Sequence, residues 1–448
     1  MSRVRLSLLL TGALLASACV SLQYRQDPLQ QALQQRQPAQ ALALLEAQAH
    51  KSRDQALYHL NKAVLLRMQG EYSASNGELE AAKQIAQALE AVSLREQAAA
   101  VSVNDALRSY LPPPFERVML YCLKMLNYLE LGEVDAARVE ALQLDVFLRQ
   151  HDEAKEPPFA RYLSGLVFET NNELSDALIA YRKAYEAYSA AKLPVPPQLQ
   201  ADLLRLTEHQ GLADEHRRYR EQFDLASWPN QATLEQQGEV IAVVFSGLVP
   251  RKHETAIMAQ DPRSGQLHRI AIPFYEQRQA QVANVRLLGH DNNGDKRSEG
   301  GVFGRIDTQA YAALDQAMPG IIARAAARVA VKNKVSDNMA ERNQLLGAIT
   351  NIAGFISEQA DTRGWNTLPQ RIVLDRMALP AGVHNIEVNF VNHSGQVIAN
   401  ETLPQVTLRP AQKRFYSWHW PASHVTSRNY RDVQTRSSTT IYYQRRLD

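Results

Sequence analysis

Two rhythms of apolar and polar residues divide the chain. From Gln26 to about Phe223 apolar residues recur at helical spacing in a stretch rich in Ala, Leu, Gln and Glu, which predicts helix throughout. Proline runs at Pro112-Pro113-Pro114, Pro157-Pro158 and Pro196-Pro197 punctuate it. Each marks the start of a new helix, because proline cannot continue a helix but suits the first turn of the next. Past Trp228-Pro229 the rhythm changes. Val240 to Phe245 is an unbroken apolar run rich in β-branched residues, the pattern of a buried strand, ended by Gly247 and Pro250. Further strands are predicted at Thr255–Ala259, Leu267–Ile272, Val282–Leu288, Arg371–Arg376, Asn385–Asn392, Gln396–Thr402, Val406–Leu408 and Arg414–Trp418. His393-Ser394-Gly395 reads as a hairpin turn.

Between the strand groups lies a predicted helical insert, with helices at Thr308–Asp337 and Asn343–Gln359. The first sets Arg324, Arg328 and Lys332 four residues apart, so they share one face, a candidate basic interaction face. The second carries an apolar stripe of Leu345, Ile349, Ile352 and Ile356, and is too short and polar to span a bilayer. The preferred reading packs these helices on the sheet with the basic row in solvent. The other lays them on a membrane surface or a partner.

The helical half contains a degenerate repeat. Between Ala160 and Tyr188, Gly165, Phe168, Ala177, Tyr181 and Ala184 fall at the spacings of a tetratricopeptide repeat, with Asn171-Asn172 at the turn. In such a unit small residues sit where two antiparallel helices cross and aromatic residues fill the space beside them. Looser copies place turns at Gly70, Gly132 and Gly211, and a faint one lies around Ala39 to Leu45. Stacked units bury their apolar faces jointly and leave a concave surface that suits a peptide or protein partner.

The N-terminus changes the picture of where the chain resides. Arg3 and Arg5 precede an apolar stretch from Leu6 to Leu15, followed by Ala16-Ser17-Ala18-Cys19. This is the layout of a secretory signal peptide. Its small residues before Cys19 resemble a bacterial lipobox, with Ala16 where leucine is commonest. The resemblance implies cleavage before Cys19 and lipidation of its thiol, giving a stable anchor of two or three acyl chains. Val20 in place of aspartate implies sorting to the outer membrane. The second cysteine, Cys122, lies in an apolar helical stretch and reads as a buried, inert thiol.

Composition excludes several classes. With 448 residues, 45% hydrophobic and 21% charged, wholesale disorder is excluded. Two cysteines make neither a disulfide scaffold nor a four-cysteine zinc site. A formal net charge of +2 is far from the basic excess of a nucleic-acid binder. That near-neutrality hides polarity. Residues 19–237 hold 22 Lys+Arg against 29 Asp+Glu, a net of −7; residues 238–448 hold 25 against 18, a net of +7. The halves attract each other, or the basic half attracts an anionic lipid, glycan or protein surface. The tail from Ser427 adds Arg428, Arg431, Arg436, Arg445 and Arg446 with Tyr430, Tyr442 and Tyr443.

No linear catalytic or cofactor motif stands out. His253-Glu254 lacks the second histidine of a zincin. Asp291, Asn293 and Asp295 begin like a calcium loop, but Lys296 stands where that loop needs glycine. The expectation is therefore no catalytic residue, no metal and no cofactor.

A set of phrases carries a wider resemblance: Pro112-Pro113-Pro114-Phe115-Glu116-Arg117, Pro158-Phe159-Ala160-Arg161-Tyr162-Leu163-Ser164-Gly165, Gly247-Leu248-Val249-Pro250-Arg251-Lys252, Pro319-Gly320-Ile321-Ile322-Ala323-Arg324 and Ala360-Asp361-Thr362-Arg363-Gly364-Trp365. With them the chain resembles a family of uncharacterised bacterial outer-membrane lipoproteins with tetratricopeptide-like repeats. The resemblance implies a periplasm-facing protein without known catalysis, in the company of lipoproteins that activate penicillin-binding proteins.

The expected architecture is α+β and multidomain. It has a lipoprotein signal peptide (1–18), a tetratricopeptide-like all-α repeat domain (19–237), a mixed, β-rich domain (238–426) with the helical insert at 308–360, and a basic C-terminal tail (427–448). The expected function is a scaffold anchored through Cys19 on the periplasmic face of a Gram-negative outer membrane. Envelope proteins would dock on its helical repeats, in cell-envelope or peptidoglycan assembly. The alternatives are a cell-wall-acting enzyme with its site in the C-terminal half, and an oligomeric component of an envelope export or surface structure.

Overall fold

The computed structural model describes residues 27–48, 51–96, 108–151, 157–260, 267–291, 294–340 and 359–428. Its helices come in antiparallel pairs: α1 (Pro28–Gln34) with α2 (Pro38–Glu46), α3 (Gln55–Met68) with α4 (Tyr72–Glu96), and α5 (Pro114–Leu131) with α6 (Val134–Gln150). Two more follow, α7 (Pro158–Thr170) with α8 (Leu174–Ala190) and α9 (Pro197–His209) with α10 (Ala213–Gln222). Proline opens α1, α2, α5, α7 and α9, where its missing N–H is no loss.

The predicted turns all fall where expected, and share one geometry. Gly70, Gly132, Asn172 and Gly211 adopt left-handed backbone with φ of 80°, 78°, 59° and 69°. The next residue then donates its N–H back to the carbonyl five positions earlier: Glu71 to Leu66, Glu133 to Tyr128, Glu173 to Phe168 and Leu212 to Thr207, at 2.8–3.0 Å. This closure satisfies carbonyls at the end of the first helix. The faint first repeat uses it too, with Arg36 at φ 58° and Gln37 N–H on the Ala32 carbonyl at 2.9 Å. Gly165 sits where α7 crosses α8, and a Cβ there would overlap the Tyr181 ring.

After a short α11 (Gln231–Gln236) the chain enters β1 (Gln237–Ser246) with no linker. There follow β2 (Lys252–Gln260), β3 (Leu267–Tyr275), β4 (Gln277–Ala280), β5 (Asn284–Asp291), β6 (Gly294–Arg297), β7 (Gly301–Arg305), the long α12 (Ile306–Ala340), β8 (Arg371–Pro380), β9 (Gly382–Val391), β10 (Val397–Leu408), β11 (Lys413–Trp420) and β12 (Ser423–Ser427). One sheet runs β11-β1-β8-β7 and a second β10-β9-β5-β6, with β2-β3 and β12-β4 as two-stranded ribbons. In the first sheet β1 pairs in parallel with β11 and antiparallel with β8.

Alternation along β1 makes this first sheet the middle of three layers. Ile241, Val243 and Phe245, with Phe303, Ile372, Leu374 and Phe415, share one core with α3 to α10. Val240, Ala242 and Val244 point the other way, into a second core with Val285, Leu287, Ile386, Val388 and Phe390. Both faces of β1 are buried, which is why it reads as an unbroken apolar run.

Several expectations change. Gln396–Thr402 and Val406–Leu408 form one strand, β10, bent by an irregularity between Leu403 and Val406. The strands β4, β6, β7 and β12 were not foreseen. They are 4 to 5 residues long and paired at sheet edges, with too little apolar alternation to read. Ser427, where the basic tail is expected to begin, pairs with Gln277 in β12, and Arg428 reaches Glu276 at 3.2 Å. The turn at 393–395 is a hairpin turn, closed by the Asn392 side chain on the Ser394 and Gln396 N–H groups. Asp291 and Gly294 face each other at the end of the β5–β6 hairpin, and Asn293 lies outside the described residues.

Candidate functional site

The expected site residues fare differently. Cys19 lies outside the described residues, as does the second helix of the insert. Arg324, Arg328 and Lys332 all fall within α12, and Arg324 is half-buried. The opposite apolar side of that helix is spoken for: Met318, Ile322 and Ala325 cover Ile257, Ile270 and Ile272 of the β2–β3 ribbon. No helix among the described residues is long and apolar enough to cross a membrane.

The helical repeats present two unlike surfaces. In a tetratricopeptide stack the first helix of each pair lines the inner face, the surface expected to receive a partner. Here it is occupied by the chain's own central sheet. From Pro158 to Glu169 every residue of α7 is buried, and α5 is buried almost throughout. The second helices α6, α8 and α10 keep one face in the core and the other open. The inner face expected to receive a partner is therefore closed by the chain's own sheet, and the outer helices are the ones left open.

A buried ion network binds the two layers. Arg376 on β8 donates to Asp202 of α9 at 2.6 Å, to Glu239 of β1 at 2.7 Å and to the Tyr162 hydroxyl at 2.9 Å. Lys413 of β11 bridges Glu239 at 2.9 Å and Glu169 at 3.0 Å, and Arg205 joins Glu169 and Asp202. Three carboxylates thus balance three cations, as burial requires. Burial alone would raise the Glu169 carboxyl, but Arg205, Lys413 and Arg376 hold it well below the usual range. Glu239 is held down to about 2, against its burial, by Arg376 and Lys413. Asp202 goes the other way: burial raises it, and the cations do not fully offset that.

Part of the opposed charge of the two halves is paired across this contact. Asp27, Asp54, Glu169 and Asp202 of the acidic half meet Arg251, Arg363, Lys413 and Arg376 of the basic half. The Arg36–Glu401 pair runs in the reverse sense.

Two more buried clusters sit on the same contact. Glu116 accepts from the Tyr110 hydroxyl at 2.6 Å and the Trp365 N–H at 3.1 Å, and burial raises its carboxyl. Nearby, burial lowers the Lys252 ammonium although Glu116 opposes the shift. Arg67 of α3 binds Asn127, Glu130 and Ser417, and stacks over the Phe245 ring. His419 stacks on the same Phe245 ring, with centroids 4.5 Å apart. Burial, then Arg67, pushes its imidazole far below the ordinary value, so it is neutral at pH 7.

Among the described residues, cavities open where helices and strands meet. One of about 210 Å³ is lined by Arg36, Arg67, Tyr72, Trp418 and His419, and one of about 130 Å³ by Asp27, Arg251 and Asn366. Both are smaller than the roughly 300 Å³ at which small-molecule sites begin. Of the acid–base groups shifted by burial, His419 lines the first cavity, while Glu116, Lys252, Asp202 and Asp375 line neither.

No protein-family model matches the chain, and no curated protein sequence matches it. Solved structures resemble its helical part. The apo form of RapI is 10% identical, with a TM-score of 0.33, over 43% of this chain and 52% of that one. The chain thus matches about half the length of that protein. MamA (MSR-1) is 10% identical, with a TM-score of 0.27, over 44% of this chain and 90% of that one. A Podosopora anserina protein with nearly identical TPR-like repeats is 16% identical, with a TM-score of 0.30, over 43% of this chain and 88% of that one.

None of the interface residues was foreseen, because a charged side chain on an apolar helix gives no hint of its partner. The one available signal was their position: Asp202 and Arg205 interrupt the apolar face of α9, and Glu169 ends that of α7.

Proposed function

We propose that the chain is a lipid-anchored scaffold of the bacterial envelope, tethered through Cys19 to the periplasmic face of the outer membrane, with protein partners docking on its outer helices. The observation that carries this reading is the division of labour within each helical pair. First helices and central sheet share one core, which fixes the body, while α6, α8 and α10 expose a continuous outer face. A rigid body with an open helical face suits holding other proteins in register. The setting in cell-envelope or peptidoglycan assembly rests on the family resemblance described above.

The test is Cys19→Ser in cells. The wild-type chain should fractionate with outer membranes and the variant with soluble periplasm. A variant that stays membrane-bound would overturn the anchor. Photo-crosslinking from Arg217 on the open face of α10 should capture protein partners, and capture from Leu199 of the inner helices should not.

A further inference from the structure

The open face of α6 has an order of its own. Asp135, Val139, Leu142, Val146 and Arg149 are exposed and spaced 4, 3, 4 and 3 residues apart, so they form a single stripe along the helix. Val139, Leu142 and Val146 are 48%, 42% and 53% exposed. These are three of the most exposed large apolar side chains among the described residues, on one helix face. Ile179 of α8, 48% exposed, lies on the neighbouring outer helix. The Arg138–Glu173 and Lys183–Asp145 ion pairs bridge α6 to α8 and fix the patch. Ala137, Ala141, Leu144, Phe147 and Leu148 of α6 are buried in the core, so the stripe is surplus to folding.

The stripe is symmetric about its centre. Leu142 stands midway, a valine lies on either side, and the ends carry opposite charge, Asp135 and Arg149. These two ends are 14 residues apart, about 21 Å along a helix. Turn a second copy antiparallel about an axis at Leu142, and apolar meets apolar while each acidic end meets a basic one. A parallel copy would set Asp135 against Asp135 and Arg149 against Arg149. A surface complementary to itself under a two-fold rotation is what an isologous dimer requires.

We propose that this face of α6, flanked by Ile179, is a homodimer interface in which two copies of the chain cross antiparallel at Leu142. Asp135 of each copy lies against Arg149 of the other. Arg149 keeps its intrahelical Asp145 contact, which orients it along the stripe. The dimer does not depend on the lipid anchor, and its failure would leave the scaffold reading standing.

Sedimentation velocity of the purified full chain tests it. The wild type should show a concentration-dependent dimer. Leu142→Glu should abolish it, with an unchanged circular-dichroism spectrum. Asp135→Arg and Arg149→Asp should each raise the dimer Kd about tenfold or more, by placing like charges at both ends. The double variant should return to near the wild-type Kd. Disulfide trapping gives the orientation independently: Asp135→Cys mixed with Arg149→Cys should crosslink, and Asp135→Cys alone should not. A wild type that stays monomeric, a double swap no better than the singles, or a 135–135 crosslink would each overturn the proposal. A monomer whose stripe crosslinks to a different protein would assign the face to that partner instead.

Discussion

Arg376, in the middle of the central sheet, ion-pairs with Asp202 of α9 at 2.6 Å across the boundary between helices and strands. The same guanidinium holds Glu239, so one side chain ties α9, β1 and β8 together. Arg376→Met should therefore cost about 3–5 kcal/mol in denaturant unfolding, because it leaves buried carboxylates without their cation. Replacing Arg376 together with Asp202 by apolar residues of similar volume leaves Arg205 and Lys413 balanced by Glu169 and Glu239, and should recover most of that loss.

Asp375, one residue earlier, points to the other side of the sheet. Burial pushes its carboxyl up to about 7, against hydrogen bonds from the Ser298 hydroxyl and the Arg376 and Leu287 N–H groups. The folded state thus holds its proton more tightly than the unfolded state. This contribution is fully present below about pH 4 and is lost as pH rises through 7, over a span of up to about 4 kcal/mol. Asp375→Asn should flatten the stability profile between pH 5 and 8 and be more stable than wild type at pH 8. Glu239 and Glu276, both held at about 2, act oppositely: their contribution is present above pH 4.5 and disappears towards pH 2. An unchanged slope in the Asn variant, measured by urea unfolding, would refute the assignment to Asp375.

Gly165→Ala should lower stability by about 1–3 kcal/mol, since the added methyl must displace the Tyr181 ring. That ring cannot swing freely, because its hydroxyl donates to Glu169 at 2.6 Å. Gly77→Ala, where nothing lies near, supplies the control and should be neutral or slightly stabilising.

Cys122 should resist aromatic disulfide reagents in the native protein and react at the rate of unfolding. Its side chain is fully buried and burial pushes the thiol up, away from the reactive thiolate. Rapid labelling of a Cys19→Ser variant under native conditions would contradict this.

The helical half was legible because its signals are local. A glycine or asparagine ends a helix within the same few residues that form the turn, as at Gly132 and Asn172. The first pair was faint because Arg36, an unusual left-handed residue, stands where glycine does in the others. The small residue at a crossing, Gly165, was legible for the same reason. What lies opposite each helix was not. Leu144 and Val146 look alike in sequence, yet one is in the core and the other open, and only the fold separates them. Arg376 and Asp202 are 174 residues apart, so no periodicity links them. The opposed charges of the halves were visible as a total, and their pairing at Asp54–Arg363 and Glu169–Lys413 was not.

The parallel pairing of β1 with β11 sets an order of events during synthesis. Glu239 faces Lys413 and Ser246 faces Trp420, so the inner helices gain their full cover only when the last long strand has been made. Until then the part of the inner helices that lies under Phe415 has no cover, and any chain stopped before Lys413 keeps that apolar gap. Truncation therefore does not release a smaller working repeat domain; it produces a sticky one, and quality-control proteases should treat it accordingly.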